Sequence, residues 1–249
     1  MIFNREYIKN KRHHVFNCHE FNGPNYLFSY GEQIILDLIE DLHVAKIKDI
    51  LVYGKRGDFP INAMKNYLKD ADIEEKFYLA PEVLEKKYDL IISFFDISSI
   101  DNLAEFFSVA FMGLKDNGVF LGTFIGENSL MNGRQKLWKI ESELSGRYAA
   151  RLWPMVKLED LTRLIQRAGF SNVISFIDKY EHKYSNLYEF IRDIRKMGES
   201  GGLKQTEYFP KFLYNKLKAT TIGSYIENFE LINFCAAKTT KIFASQVNI

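Results

Sequence analysis

The chain reads as an α/β protein built on a doubly wound, mostly parallel sheet, and three observations predict that class. Short apolar runs alternate with stretches of helical periodicity through the first half, as in a parallel sheet covered on both faces. The run from Ile47 to Tyr53 passes directly into Gly54, a buried strand entering a tight turn. The last third returns through a strand, two helices and a long final strand, which predicts an antiparallel edge on the parallel sheet.

Taken in order, the first 25 residues form an N-terminal arm. Arg5, Lys9, Lys11 and Arg12 are interleaved there with Phe3, Tyr7 and Phe16, an amphipathic pattern suited to covering a sheet edge or a ligand. From Tyr26 to Leu42, Ile34, Ile35, Leu38, Ile39 and Leu42 recur at helical spacing ahead of strand one. Asp58 is placed to cap a helix running to about Leu68. Phe77 to Leu79 reads as a short second strand and Tyr88 to Phe95 as a third, followed by a helix from about Asp101 to Leu114. The turn Asp116-Asn117-Gly118 leads into a strand from Val119 to Ile125.

Residues 127–170 read as a mostly helical insertion before the last two strands, with Gly169-Phe170 closing its last helix. Val173 to Tyr184 is then a strand, Leu187 to Met197 and Pro210 to Leu217 are helices, and Tyr225 to Ala237 is the final strand. The expectation is a single domain over 1–249.

Composition narrows the function classes. Lys plus Arg number 33 against 32 Asp plus Glu, so overall charge offers nothing to nucleic acid or to an anionic membrane. The longest apolar runs fall far short of the roughly 18 to 20 residues that cross a bilayer, and Met1 opens no leader pattern. A soluble, cytoplasmic protein is expected. Cys18 and Cys235 make no disulfide framework. His13, His14, Cys18 and His19 with Glu20 match no ligand spacing, so no metal is expected. No Ser-His-Asp, Cys-His or P-loop pattern appears, which leaves the catalytic residues unassigned.

Tyr53-Gly54-Lys55-Arg56-Gly57 carries the shape of a cofactor turn without most of its glycines. Two long cations stand where backbone amides would otherwise approach a ligand.

Further along, Tyr88 to Ser93 and then Leu114 to Gly122 resemble the fourth and fifth strands of class I S-adenosylmethionine-dependent methyltransferases. Ser129-Leu130 with Arg134, Arg151-Leu152-Trp153-Pro154, Asp160-Leu161, Arg167 to Phe170, Tyr184, and Arg192 to Ser200 resemble one branch of that superfamily. The branch holds the malonyl-carrier-protein O-methyltransferase of biotin synthesis and the methyltransferase-like assembly factor of respiratory complex I, which is associated with arginine hydroxylation. Met197-Gly198-Glu199-Ser200 and the opening Ile2-Phe3-Asn4-Arg5 look more like the assembly factor.

The resemblance implies S-adenosylmethionine as cofactor, with Tyr53, Gly54, Gly57, Glu82 and Asp96 at the binding positions. It implies Arg134, Arg151 and Tyr184 on the side of the substrate or partner. Within the insertion, eight basic residues against five acidic ones would suit a carboxylate or an acidic protein such as a carrier protein.

The departures fall on the cofactor side. Leu51 or Val52 stands where the family has an acid, and Glu82 after Leu79-Ala80-Pro81 is a poor substitute for the ribose-binding acid. Only 31 steps separate Gly57 from Tyr88, too few for a helix, strand two, its crossover helix and strand three, so the fold should be shortened around strands 2 and 3. These losses predict weakened cofactor binding and a binding or assembly factor of the complex I type. The alternative is an active methyltransferase on a carrier-protein thioester, or an arginine-modifying enzyme.

Overall fold

The computed structural model describes residues 2–17, 26–42, 47–54, 56–146, 153–204, 210–219 and 223–238. Among these, helix α1 (Arg5–Asn17) and α2 (Tyr26–Asp41) precede β1 (Asp49–Tyr53), α3 (Ile61–Tyr67), β2 (Asp72–Lys76) and β3 (Tyr88–Phe94). Then come α4 (Leu103–Gly113), β4 (Leu114–Ile125), α5 (Met131–Ser145), α6 (Leu158–Arg167), β5 (Ser171–Tyr184), α7 (Leu187–Lys196), α8 (Lys211–Ala219) and β6 (Tyr225–Ala237).

One six-stranded sheet runs in the order β2-β1-β3-β4-β6-β5. The four strands from β2 to β4 are parallel, and β6 lies antiparallel between β4 and β5. The antiparallel member is therefore β6, one strand in from the edge that β5 forms.

Alternation along the strands divides the core. Ile50, Val52, Leu90, Ile92 and Phe94 pack with α2, α3, α5, α7 and α8 on one face, while Leu51, Tyr53, Ile91 and Phe120 pack with α4 and α6 on the other. Near-continuous apolar strands follow from that double coverage.

The expected shortening is present. Between β2 and β3 the chain crosses β1 in residues 77–87 with no helix. The second strand itself is Asp72–Lys76 rather than Phe77 to Leu79. Its composition hides it, since an edge strand needs little apolar content and only Ile73 of its five residues is apolar. The aromatic pair after it serves a different purpose: Tyr78 packs against Tyr53 and Phe106, and Phe77 lies under Arg5.

Asp58 does not cap α3. The segment folds back on itself, with Arg56 and Phe59 exchanging both backbone hydrogen bonds at 3.1 Å, and the helix begins only after Pro60. The insertion resolves into α5 and α6, and Trp153 to Lys157 run extended between the undescribed residues and α6.

Candidate functional site

Neighbouring strands β1 and β3 send their chains in opposite directions, β1 toward β2 and β3 toward β4, which makes the gap at their carboxyl ends the switch point of the sheet. Folds of this kind bind ligands in that crevice. Gly54 ends β1 on one side and Asp96 follows β3 on the other.

The two walls are close. Gly54 has φ +85°, and a Cβ built on it would stand 2.3 Å from the Phe94 carbonyl and 2.6 Å from Asp96 Cβ. Only glycine fits there.

Helix α1 lies across this crevice and fills it with side chains. Arg12 Nη1 donates to Asp96 Oδ1 at 2.7 Å and its Nη2 to Glu199 Oε2 at 2.9 Å. Arg5 Nη2 donates to Asp96 Oδ2 at 2.9 Å, and its Nε donates to the Tyr78 carbonyl at 2.8 Å. Arg56, from the loop after β1, donates through Nε to Glu199 Oε1 at 2.9 Å, through Nη1 to the Gly54 carbonyl at 2.6 Å and through Nη2 to the Phe95 carbonyl at 2.7 Å.

All five ionic side chains are at most 9% exposed. Three guanidiniums face two carboxylates, so the lattice holds one positive charge in excess.

The environment tunes these groups in opposite ways. Burial works to raise the Asp96 carboxyl, yet Arg5 and Arg12 outweigh it and hold the group at about 2. Burial, reinforced by Arg12, pushes the Arg56 guanidinium down to about 10.

The other wall is the loop after α7. Glu199 stands at its start, and Lys11 of α1 donates to Ser200 Oγ at 2.6 Å. Burial lowers the Lys11 ammonium to about 8. Asn4 N donates to the Gly202 carbonyl and Lys204 N to that of Ile2, a short antiparallel clasp centred on Phe3 and Leu203. Trp153 caps it, its Nε1 donating to the Gly201 carbonyl at 2.7 Å and its ring meeting Phe3 edge-on. The run Met197 to Ser200, which carries the family likeness, leads into this clasp and holds α1 through Glu199 to Arg12 and Ser200 to Lys11.

The residues implied by the resemblance scatter. Gly54 and Asp96 meet at the crevice, and Gly57 faces Phe16 of α1. Tyr53 is buried on the α4 side between Tyr78 and Phe106, and burial raises its hydroxyl. Glu82 sits on the exposed crossover and pairs with Lys76 at 3.6 Å. Arg134 reaches the Trp153 carbonyl at 3.0 Å through Nη2. Tyr184 is buried at the end of β5, its hydroxyl bonded to that of Tyr26. Arg151 lies outside the described residues.

Of the histidine group, His13 and His14 are exposed on α1, while Cys18, His19 and Glu20 lie outside the described residues. Among the described residues no cluster of His, Cys, Asp and Glu could hold a metal ion, and no helix is long and apolar enough to cross a membrane.

Arg5, Arg12, Arg56 and Glu199 were not legible as a site. Their separations run to 187 residues, and the local signals stood apart: Arg5 and Glu199 each within a short family-like run, and Arg56 as a cation in the glycine loop.

The chain has relatives among known proteins. It is 29% identical over 164 residues to the mitochondrial arginine-hydroxylase NDUFAF5 of Mus musculus, covering 64% of this chain and 48% of that protein. It is 29% identical over 175 residues to a Rickettsia prowazekii protein that carries the provisional name of a methyltransferase, covering 68% of this chain and 77% of that one. The chain thus spans about half the length of the NDUFAF5 protein it matches. Among solved structures, the YcgJ protein of Bacillus subtilis aligns with a TM-score of 0.50 at 8% identity, covering 84% of this chain and 99% of that one. No protein-family model matches the chain. The fold is that of the class I methyltransferases, with one strand and its helix omitted.

Proposed function

We propose that this chain, a homologue of the NDUFAF5 arginine hydroxylases with a class I methyltransferase fold, is a binding or assembly factor whose cofactor crevice is closed by its own α1 helix. The observation that carries this reading is the lattice Arg5–Asp96–Arg12–Glu199–Arg56 at the switch point. S-adenosylmethionine brings a sulfonium, an ammonium and one carboxylate, a net positive charge, and its two cations need anions or cation-tolerant surface near the loop. Here both anions are already held by guanidiniums, and one positive charge is in excess.

Opening the crevice means separating buried pairs, each worth about 3–5 kcal/mol when one partner is lost. The acid that would orient the methionine amino group is replaced by Leu51 and Val52, both fully buried and apolar. The end of β2 offers Lys76 where a ribose would need an acceptor.

The partner we infer is a subunit of respiratory complex I, on the strength of the relationship to NDUFAF5, and one with an acidic face suited to the basic insertion. Two measurements on the whole chain test the reading. Titration calorimetry with S-adenosylmethionine should give no binding heat. Micromolar binding that Gly57→Val abolishes would overturn the closed crevice. Cross-linking in cells that contain complex I should capture one of its subunits, and capture of none would remove the assembly role.

A further inference from the structure

At the far side from β2 the sheet ends on β5, a strand of 14 residues whose outer edge meets no other strand among the described residues. Strands commonly run about 3–10 residues, so this is a long edge, and its backbone offers a row of donors and acceptors to any chain that can match it. The register shift in its pairing with β6 lies between Ser171 and Ile174, and from Ile174 to Tyr184 the ladder is regular. No proline or glycine interrupts the strand.

The side chains along that edge carry charge in a particular order. On the α6 face Ile177, Lys179, Glu181 and Lys183 are all exposed, while Asp178, Tyr180 and His182 alternate with them, half-buried, on the α2 face. Two of the latter are already fixed in place. Asp178 Oδ2 accepts from Asn233 Nδ2 at 2.9 Å, and the His182 ring stacks on Tyr26 with centroids 4.0 Å apart. Charges on an edge strand ordinarily keep other chains away. This order of signs admits one.

We propose that β5 pairs antiparallel with β5 of a second copy of this chain, about a dyad at Tyr180, to join two sheets into one. A dyad there sets Lys179 opposite the partner's Glu181 and Asp178 opposite the partner's His182, and symmetry makes each pair twice. Opposite charges facing across an antiparallel pair stabilise it and like charges oppose it. Moving the dyad to Asp178, Lys179 or Glu181 sets that residue against its own copy, like charge on like. A dyad at His182 keeps Glu181 opposite the partner's Lys183 but leaves only residues 180–184 paired before the strand ends. The register at Tyr180 pairs residues 176–184 and also sets Ile177 opposite the partner's Lys183, whose stem can cover it.

The dyad uses both free edges at once, so assembly closes at two chains. A strand edge with its flanking side chains buries less than a standard interface, and a dissociation constant on the order of 10 µM is expected. The crevice at β1 and β3 lies elsewhere on the sheet, so this inference does not depend on whether S-adenosylmethionine binds.

Sedimentation velocity on the whole chain over a concentration series from about 1 to 200 µM tests it. Wild type should pass from one chain to two. Glu181→Lys should weaken the dimer at least about tenfold, because it places lysine opposite the partner's Lys179. Within the chain Glu181 faces Asn228 on β6, so this change sets no like charges across that ladder. Adding Lys179→Glu to Glu181→Lys restores opposite signs in the exchanged order and should bring the dimer back, with circular dichroism confirming the fold of both variants. Lys65→Glu, on the exposed face of α3, should leave the association unchanged. A wild type that stays a single chain at 200 µM would overturn the proposal, and so would growth beyond two chains. A dimer indifferent to Glu181→Lys, or one that the folded double variant fails to recover, would place the contact elsewhere and overturn it as well.

Discussion

Arg12 Nη1 lies 2.7 Å from Asp96 Oδ1, joining the N-terminal helix to the end of β3 across 84 residues of chain. Asp96 is fully buried and Arg12 nearly so, and a second guanidinium, Arg5, closes on the other carboxylate oxygen. A buried carboxylate with two such partners fixes the position of α1 more firmly than apolar contact would, because neither charge can be left alone. Asp96→Asn should therefore cost about 3–5 kcal/mol in urea unfolding. The paired replacement Asp96→Asn with Arg12→Met should recover part of that loss, since the uncompensated cation is removed with its partner. Additive losses in the double variant would mean that the pair is not coupled.

The same carboxylate predicts a pH dependence. Its folded value of about 2 lies below the ordinary 3.8, so the folded state holds the anion more tightly than the unfolded chain does. The stabilisation is then complete above the unfolded value and is lost as pH falls from about 4 toward 2. Wild type should lose stability across that window more steeply than Asp96→Asn, which has no charge to titrate. Parallel curves for the two proteins would remove Asp96 as the cause.

Gly54 and Gly146 offer a contrast in what a glycine does. Both have positive φ, +85° and +65°, yet a Cβ on Gly146 meets nothing within 4 Å while one on Gly54 would stand 2.3 Å from the Phe94 carbonyl. Gly146→Ala should cost only the left-handed strain, about 1 kcal/mol. Gly54→Ala adds a clash with backbone that cannot yield, and a further loss of about 1–3 kcal/mol is expected from the overpacking. Equal thermal shifts for the two would show that the crevice walls can part.

The sequence carried the sheet well because burial on both faces writes itself into continuous apolar runs. Tyr88 to Phe94 and Tyr225 to Ala237 could hardly be anything else. It failed at β2, where the open edge and a single apolar residue erase the pattern. The shortening after Gly57 was legible by counting residues against the pattern of the resembled family. The lattice at the switch point was not, since Arg5, Arg12, Arg56 and Glu199 are ordinary charged residues until the fold brings them together. Lys-Arg in a glycine loop looked like two solvated cations, whereas Arg56 is fully buried and bonds the backbone on both sides of the crevice.

Arg134 provides the last test, because its position in the sequence suggested a partner and its place in the structure gives it a local task. Its Nη2 donates to the Trp153 carbonyl, and Trp153 in turn holds the Gly201 carbonyl and the ring of Phe3, which secure the clasp on α1. Arg134→Gln should lose about 1 kcal/mol of stability, near the mean for one hydrogen bond. Hydrogen exchange should quicken locally, at the amides of residues 199–204 and of α1, while the central strands keep their protection. If the clasp amides are unmoved but capture of the proposed complex I partner falls, Arg134 works on the partner directly. If both change together, α1 and its clasp are part of the surface the partner recognises.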